Sequence, residues 1–254
     1  MNAVDRYSER AVTYAQCRWD YAAEAIQALV MECGLSEDSI LADIGSGTGM
    51  VTRHFLNRVR IVFAVEPNAD MRNLATEALH IHGSYQSVSG FSDATTLPDN
   101  CVQMITVGRA LHWFPAESTR AEFCRILKPE GWLAIFNVPC TDPALLDSMR
   151  AVRIEENGWQ VAVDEERMKC VPLSFYFGHD TFRKLIIAGS VRETWEAFLG
   201  RICSISAAPR PDHPLRPNLE RALRDVFEQH AVDGVLTVSN ATEIAFGQVH
   251  KSLR

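Results

Sequence analysis

No run in this 254-residue chain approaches the ~20 consecutive apolar residues that cross a bilayer. Its first ten residues are polar and mixed in charge, so neither a membrane span nor a secretory leader is expected. Basic charge is not in excess. Lys and Arg number 25 against 32 Asp and Glu, a formal net charge of −7, which gives no electrostatic footprint for nucleic acid or an anionic membrane. There is no C-x-x-C pair. The seven cysteines, at 17, 33, 101, 124, 140, 170 and 203, are odd in number and scattered, and read as reduced thiols of a cytoplasmic protein rather than disulfides or zinc ligands. The eight histidines contain no His-x-x-x-His spacing, so no catalytic metal is expected. Repeats and low-complexity segments are absent too. What remains, 47% hydrophobic and 22% charged, is the composition of an ordinary globule with a real core.

Within that composition, short apolar runs alternate with helical periodicity. Residues 4–33 have helical spacing, and Gly34 follows as a C-cap. Strands are predicted at 40–44, 61–65, 85–89, 102–107 and 132–138. Helices are predicted at 48–58, from Asn68 to about His80, and from about Pro115 to Leu127. This alternation argues for right-handed crossovers and a parallel sheet. After Pro139 the pattern loosens: helices are expected over 143–157, about 180–199 and 218–230, with strand-like runs at 235–238 and 242–246. Trp159, Phe175, Tyr176, Phe177, Trp195 and Phe198 in this region could wall a pocket or form core.

The most informative run is Asp43-Ile-Gly45-Ser46-Gly47-Thr-Gly49, which closes the first predicted strand. Glycine turns the backbone at positive φ and lets a ligand approach main-chain N–H groups without a Cβ in the way. The following helix presents its positive end to the same place. Such a turn marks a nucleotide-type site at the end of a first strand in an open α/β sheet. Glu66 ends the second strand, seventeen positions after Gly49, where a carboxylate can accept both hydroxyl hydrogens of a ribose. After the third strand comes Gly90-Phe-Ser-Asp93-Ala94-Thr-Thr-Leu97-Pro98, whose Asp can accept from an adenine amine. An NAD-dependent oxidoreductase is disfavoured: Met50 stands where G-x-G-x-x-G needs its last glycine, and the Asp93 element has no role there.

Taken together with Val65-Glu-Pro-Asn68, Ala110-Leu-His-Trp-Phe114 and Arg125-Ile-Leu-Lys-Pro-Glu-Gly131, these runs resemble the class I S-adenosylmethionine-dependent methyltransferases, in the small-molecule group called methyltransferase type 11. The resemblance covers about residues 5–138. It implies an α/β, Rossmann-like, doubly wound sheet of seven strands, mostly parallel with an antiparallel last strand, and a lid inserted after the fifth strand. It implies S-adenosylmethionine as cofactor. Asp43, Gly45, Ser46, Gly47 and Gly49 would hold its methionine portion, Glu66 the ribose, Pro67 and Asn68 the flanks of the adenine, and Asp93 and Ala94 the adenine edge. Tyr14 and Arg18, four apart on one helix face, match a pair that closes over the cofactor in similar enzymes, or are simply a packed helix face.

Gly108 to Phe114 follows the fourth strand, where methyl and acceptor meet in such folds. His112 is the candidate general base, its ordinary pKa of ~6.5 lying near working pH, with a packing role as the alternative. Methyl transfer from a sulfonium requires no base if donor and acceptor are aligned. Arg109 stands where similar sequences often have Gln and is grouped with the cofactor set. Its fixed charge could orient a substrate carboxylate or serve a surface ion pair. The (Asn/Asp)-Pro-Pro-(Tyr/Phe) run of amino-directed methyltransferases is missing, which argues against nucleic-acid bases as acceptors. The chain is therefore read as one domain, 1–254: a cofactor-binding core over 1–138, a substrate lid over 139–230 and closing strands over 231–254. The expected function is methylation of a small molecule, with a non-catalytic S-adenosylmethionine-binding regulatory protein as the alternative.

Overall fold

A computed structural model describes residues 11–152, 171–205 and 208–250. Among them, β1 (Ile40–Ile44), β2 (Ile61–Val65), β3 (Tyr85–Val88), β4 (Val102–Gly108), β5 (Leu127–Asn137), β6 (Arg183–Glu193) and β7 (Leu236–Gln248) form one sheet. Its order is β3-β2-β1-β4-β5-β7-β6. The first five strands run parallel, and β7 is antiparallel to both its neighbours. From β1 the chain first builds outward through β2 to β3, then returns to the other side of β1 for β4. The carboxyl ends of β1 and β4 therefore border a crevice, the place where open α/β sheets bind ligands.

Side chains alternate across this sheet, as strand geometry dictates. Leu41 and Met104 join a core with Ile26 and Leu29 of α2 (Ala23–Glu32) and with Leu223 and Phe227 of α9 (Arg216–His230). Ala42 and Ile105 join the opposite core with Phe123 and Ile126 of α5 (Ala116–Ile126). Burial on both faces is why these central strands read as apolar runs. Asn68 caps α4 (Ala69–Leu79) as expected, its side chain accepting from Met71 N at 2.9 Å.

Three expectations need correction. The leading helix is broken into α1 (Ala11–Cys17) and α2, because residues 18–22 are claimed by tertiary partners. Trp19 Nε1 donates to Glu193 Oε1 at 2.7 Å, Ala22 N donates to Thr242 Oγ1 at 2.8 Å, and Trp19 and Tyr21 are buried. The helix expected over 48–58 is only α3 (Thr52–Phe55), since Gly49 at φ +82° and Asn57 at φ +63° are not helical. The helix expected over 180–199 is instead the edge strand β6 followed by α8 (Trp195–Cys203), capped by Thr194. β6 pairs with β7 over its full length, and that same β7 unites the two runs expected at 235–246 into one strand. The region read as a lid also holds α6 (Pro143–Val152) and α7 (Leu173–Phe177). Residues 153–157 of its first expected helix lie outside the described residues.

Candidate active site

The turn after β1 uses each glycine differently. Gly45, Gly47 and Gly49 lie at φ +67°, +55° and +82°, backbone that residues with a side chain adopt only under strain. A Cβ on Gly45 would stand 2.7 Å from Ala110 Cβ, and one on Gly49 would stand 2.5 Å from Leu79 Cδ1; at Gly47 it would meet nothing within 4 Å. Close packing thus fixes the first and last glycine, while the middle one faces open space. Asp43 braces the turn from beneath. Its fully buried carboxylate accepts from Thr52 N (3.1 Å) and Thr52 Oγ1 (2.6 Å) through one oxygen, and from Thr106 Oγ1 of β4 (3.0 Å) through the other. Burial pushes its pKa up to about 6, against the lowering effect of those donors.

Glu66, at the end of β2, is also buried, and burial raises its pKa above the ordinary carboxylate value. Oε2 accepts from Gly47 N and Oε1 from Asn68 N, both at 2.9 Å, so one carboxylate ties the glycine turn to the start of α4. Arg72 fixes that corner by donating to the carbonyls of Glu66 (2.8 Å) and Pro67 (2.7 Å). Each Glu66 oxygen keeps a lone pair beyond the backbone bond it accepts.

The segment after β3 is pinned to α5: Ser92 shares a hydrogen bond with Thr119 (2.8 Å), and Glu122 accepts from Thr95 N (2.8 Å). Asp93 is exposed and accepts from Ser118 Oγ at 3.1 Å. Phe91, 55% exposed, stands beside it, an unusual placement for a large apolar ring. Beyond β4, Arg109 takes a left-handed φ of +54°. Its Nη2 donates to Trp19 O at 2.6 Å, and its guanidinium lies 5.0 Å over the Tyr21 ring.

These pieces surround a cavity of about 440 Å³ over the β1/β4 crevice. Of the residues singled out by sequence, Asp43, Gly45, Ser46, Gly47, Glu66, Pro67, Asn68, Asp93 and Arg109 line it. Gly49, Ala94, Arg18 and His112 are not on its wall. His112 is exposed on the 3₁₀ turn Leu111–Trp113, next to the lining Trp113. The side chain of Tyr14 lies outside the described residues. Trp113 and Phe114, from the run expected where methyl and acceptor meet, line the cavity, as do Tyr21, Met50, Met71 and Phe91, which had been given no role there. For Phe91 the signal was an aromatic ring inside an otherwise polar or small-residue motif. Of the downstream aromatics, Tyr176, Phe177 and Phe198 are buried core and none of the described ones reaches the cavity; Trp159 lies outside the described residues.

The strand order, with β7 antiparallel to its neighbours, defines a Rossmann-like fold. Residues 42–135 match the model of the methyltransferase domain family, type 11. It is 28% identical over 123 residues to an uncharacterized methyltransferase of Schizosaccharomyces pombe, covering 48% of each chain. It is 31% identical over 124 residues to an uncharacterized methyltransferase of Mycobacterium tuberculosis, covering 48% of this chain and 47% of that one. The chain thus spans about half the length of the curated relatives it matches. Among solved structures, a putative type II methyltransferase from Anaeromyxobacter dehalogenans superposes with a TM-score of 0.62 over 92% of this chain and 99% of that one, at 20% identity. A putative methyltransferase from Anabaena variabilis gives 0.58 over 87% and 96%, at 19% identity. At these identities the likeness is one of fold. No described helix is long and apolar enough to cross a membrane.

Proposed function

We propose that this chain transfers a methyl group from S-adenosylmethionine to a small-molecule acceptor. The observation that carries the reading is Glu66: a buried carboxylate held by Gly47 N and Asn68 N, with lone pairs to spare, on the wall of a cavity of about 440 Å³. That volume suits a nucleoside with a small partner, and the open space at Gly47 fits a ligand lying against the backbone. When bound, the cofactor supplies an activated methyl on a positively charged sulfur. Glu66 would accept from the ribose hydroxyls, Asp93 from the exocyclic amine of the base, and Pro67, Asn68 and Phe91 would flank the ring. Gly45, Ser46 and Gly47 would hold the amino-acid portion, with Asp43 fixing their conformation.

Among the described residues the cavity wall has no histidine, so transfer in this reading rests on alignment within walls that include Met50, Met71, Trp113 and Phe114. His112, one residue from the wall, would serve an acceptor that extends toward the mouth. The net charge of −7 favours a small acceptor over nucleic acid.

Calorimetric titration with S-adenosylmethionine, S-adenosylhomocysteine and NAD tests the reading. Both sulfur nucleosides are expected to bind and NAD is not. Glu66→Ala should weaken them by roughly 10- to 100-fold, the worth of charge-assisted hydrogen bonds. Tight NAD binding with neither sulfur nucleoside bound would refute it. Formation of S-adenosylhomocysteine over a panel of small acids, amines and phenols then separates an enzyme from a binding protein.

A further inference from the structure

Among the described residues none beyond Pro115 lines the cavity, so the elements after β5 act on it only through intermediaries. One such connection is built from buried side chains. Glu193, the last residue of β6, is 2% exposed. It accepts a two-pronged hydrogen bond from Arg201 of α8, Nε to Oε1 at 2.7 Å and Nη2 to Oε2 at 2.9 Å. The same Oε1 accepts from Trp19 Nε1 at 2.7 Å, and the Arg201 guanidinium lies 4.2 Å from the centroid of the Trp19 ring. Trp19 is thus clamped by edge and by face. Its carbonyl accepts from Arg109 Nη2 at 2.6 Å, and Arg109 in turn lies over the ring of Tyr21. Tyr21 and Arg109 are both on the cavity wall.

Two other attachments hold this stretch of chain: Ala22 N donates to Thr242 Oγ1, and Asp20 pairs with Arg53 and His54 of α3. The Asp20–Arg53 pair is half-exposed, a kind that contributes little and is screened by salt. The Glu193 pair is buried. A buried carboxylate shared between a guanidinium and an indole tolerates one geometry, because moving either donor leaves a polar group unmatched. We propose that Glu193 is a positioning residue for the cavity: through Trp19 it places Tyr21 and Arg109 on the wall, and so sets the affinity for the molecule bound there. Glu193 touches no ligand itself; β6 and α8 brace the wall from behind. This inference rests on the methyl-transfer reading for the choice of ligand probe.

The test titrates S-adenosylhomocysteine into the full chain as wild type, Trp19→Phe, Glu193→Gln, the double variant and Val226→Ala, with thermal midpoints to verify folding. Trp19→Phe removes the Nε1 donor and leaves the Glu193–Arg201 pair intact. Glu193→Gln removes the charge. Val226 is a core residue of α9 off the cavity wall, so Val226→Ala reports the effect of lost stability alone. Amide hydrogen exchange of the same proteins without ligand gives a second reading. It is followed at residues 109–114, where Trp113 N and Phe114 N are hydrogen-bonded in the turn after β4.

Trp19→Phe and Glu193→Gln should each weaken S-adenosylhomocysteine by roughly fivefold or more. Because Glu193 acts through Trp19, the double variant should bind no more weakly than the weaker single one, although its thermal midpoint falls further. Val226→Ala should leave affinity unchanged. The proposal is overturned if both folded single variants bind within twofold of wild type, or if their effects multiply in the double variant. It is overturned equally if Val226→Ala weakens binding as much for the same fall in midpoint. A wild type that does not bind S-adenosylhomocysteine would count against methyl transfer, and exchange would then decide the role of Glu193. Faster exchange at 109–114 in Trp19→Phe and Glu193→Gln supports it; faster exchange confined to the substituted segments overturns it.

Discussion

Replacing Asp43 with asparagine should stabilise the protein above about pH 6 and leave it nearly unchanged near pH 4. The carboxylate is only 1% exposed, and burial, reinforced by the negative charge of Glu66, outweighs the two threonine partners and moves its pKa from 3.8 up to about 6. Below about pH 4 the group is protonated in both the folded and unfolded chain and contributes nothing to the difference. Between about 4 and about 6 the unfolded chain has released its proton and the folded one has not. Each pH unit in that interval costs the fold about 1.4 kcal/mol, to a total of roughly 3 kcal/mol, and above about 6 the cost is constant. Asparagine is neutral and nearly isosteric. Its oxygen can accept from Thr52, and its amide can donate to the Thr106 hydroxyl, which then acts as acceptor. Urea unfolding of wild type and Asp43→Asn at several pH values from about 4 to about 7.5 isolates the effect, because the other titrating groups cancel in the difference. The expected difference grows by roughly 2–3 kcal/mol in favour of the variant as pH rises through this window. A difference independent of pH, or one that moves toward the wild type, would refute the argument.

Gly47→Ala and Gly49→Ala share the cost of a side chain at positive φ, about 1 kcal/mol, but only Gly49→Ala drives a Cβ into Leu79. Its thermal midpoint should therefore fall further, whereas Gly47→Ala should mainly lose S-adenosylhomocysteine affinity; equal losses of midpoint would contradict the packing assigned to the two glycines. His112→Ala should leave S-adenosylhomocysteine affinity and thermal midpoint unchanged, since the ring is exposed and off the cavity wall. Once an acceptor is known, a fall in kcat for that variant with KM preserved would assign the proton role to His112.

Much of the cavity wall around the glycine turn was legible because it depends on local chemistry. The three glycines are needed by backbone conformations that they adopt themselves. Asn68 caps the helix that begins one residue later, and Glu66 reaches backbone N–H groups that flank its own strand end. The central strands were legible because burial on both faces demands apolar residues throughout. The break at residues 18–22 was not, since helical spacing continues through it. What ends the helix is the set of partners brought from Glu193 and Thr242, more than 170 residues away.

The same division separates β6 from the helix expected in its place. Leu185, Ile187 and Val191 are partly buried along a strand whose other positions are mostly exposed, and so short an apolar pattern suits either element. Pairing with β7 along its whole length decided the matter. For the cavity, sequence alone determined the motif residues and the order in which they occur. Tertiary structure decided which of them share a wall, placing Tyr21 beneath Arg109 and turning His112 outward. The physical reason is one of range: turns and caps are satisfied by neighbours in the chain, whereas an edge strand and an aromatic wall are defined by what folding brings beside them.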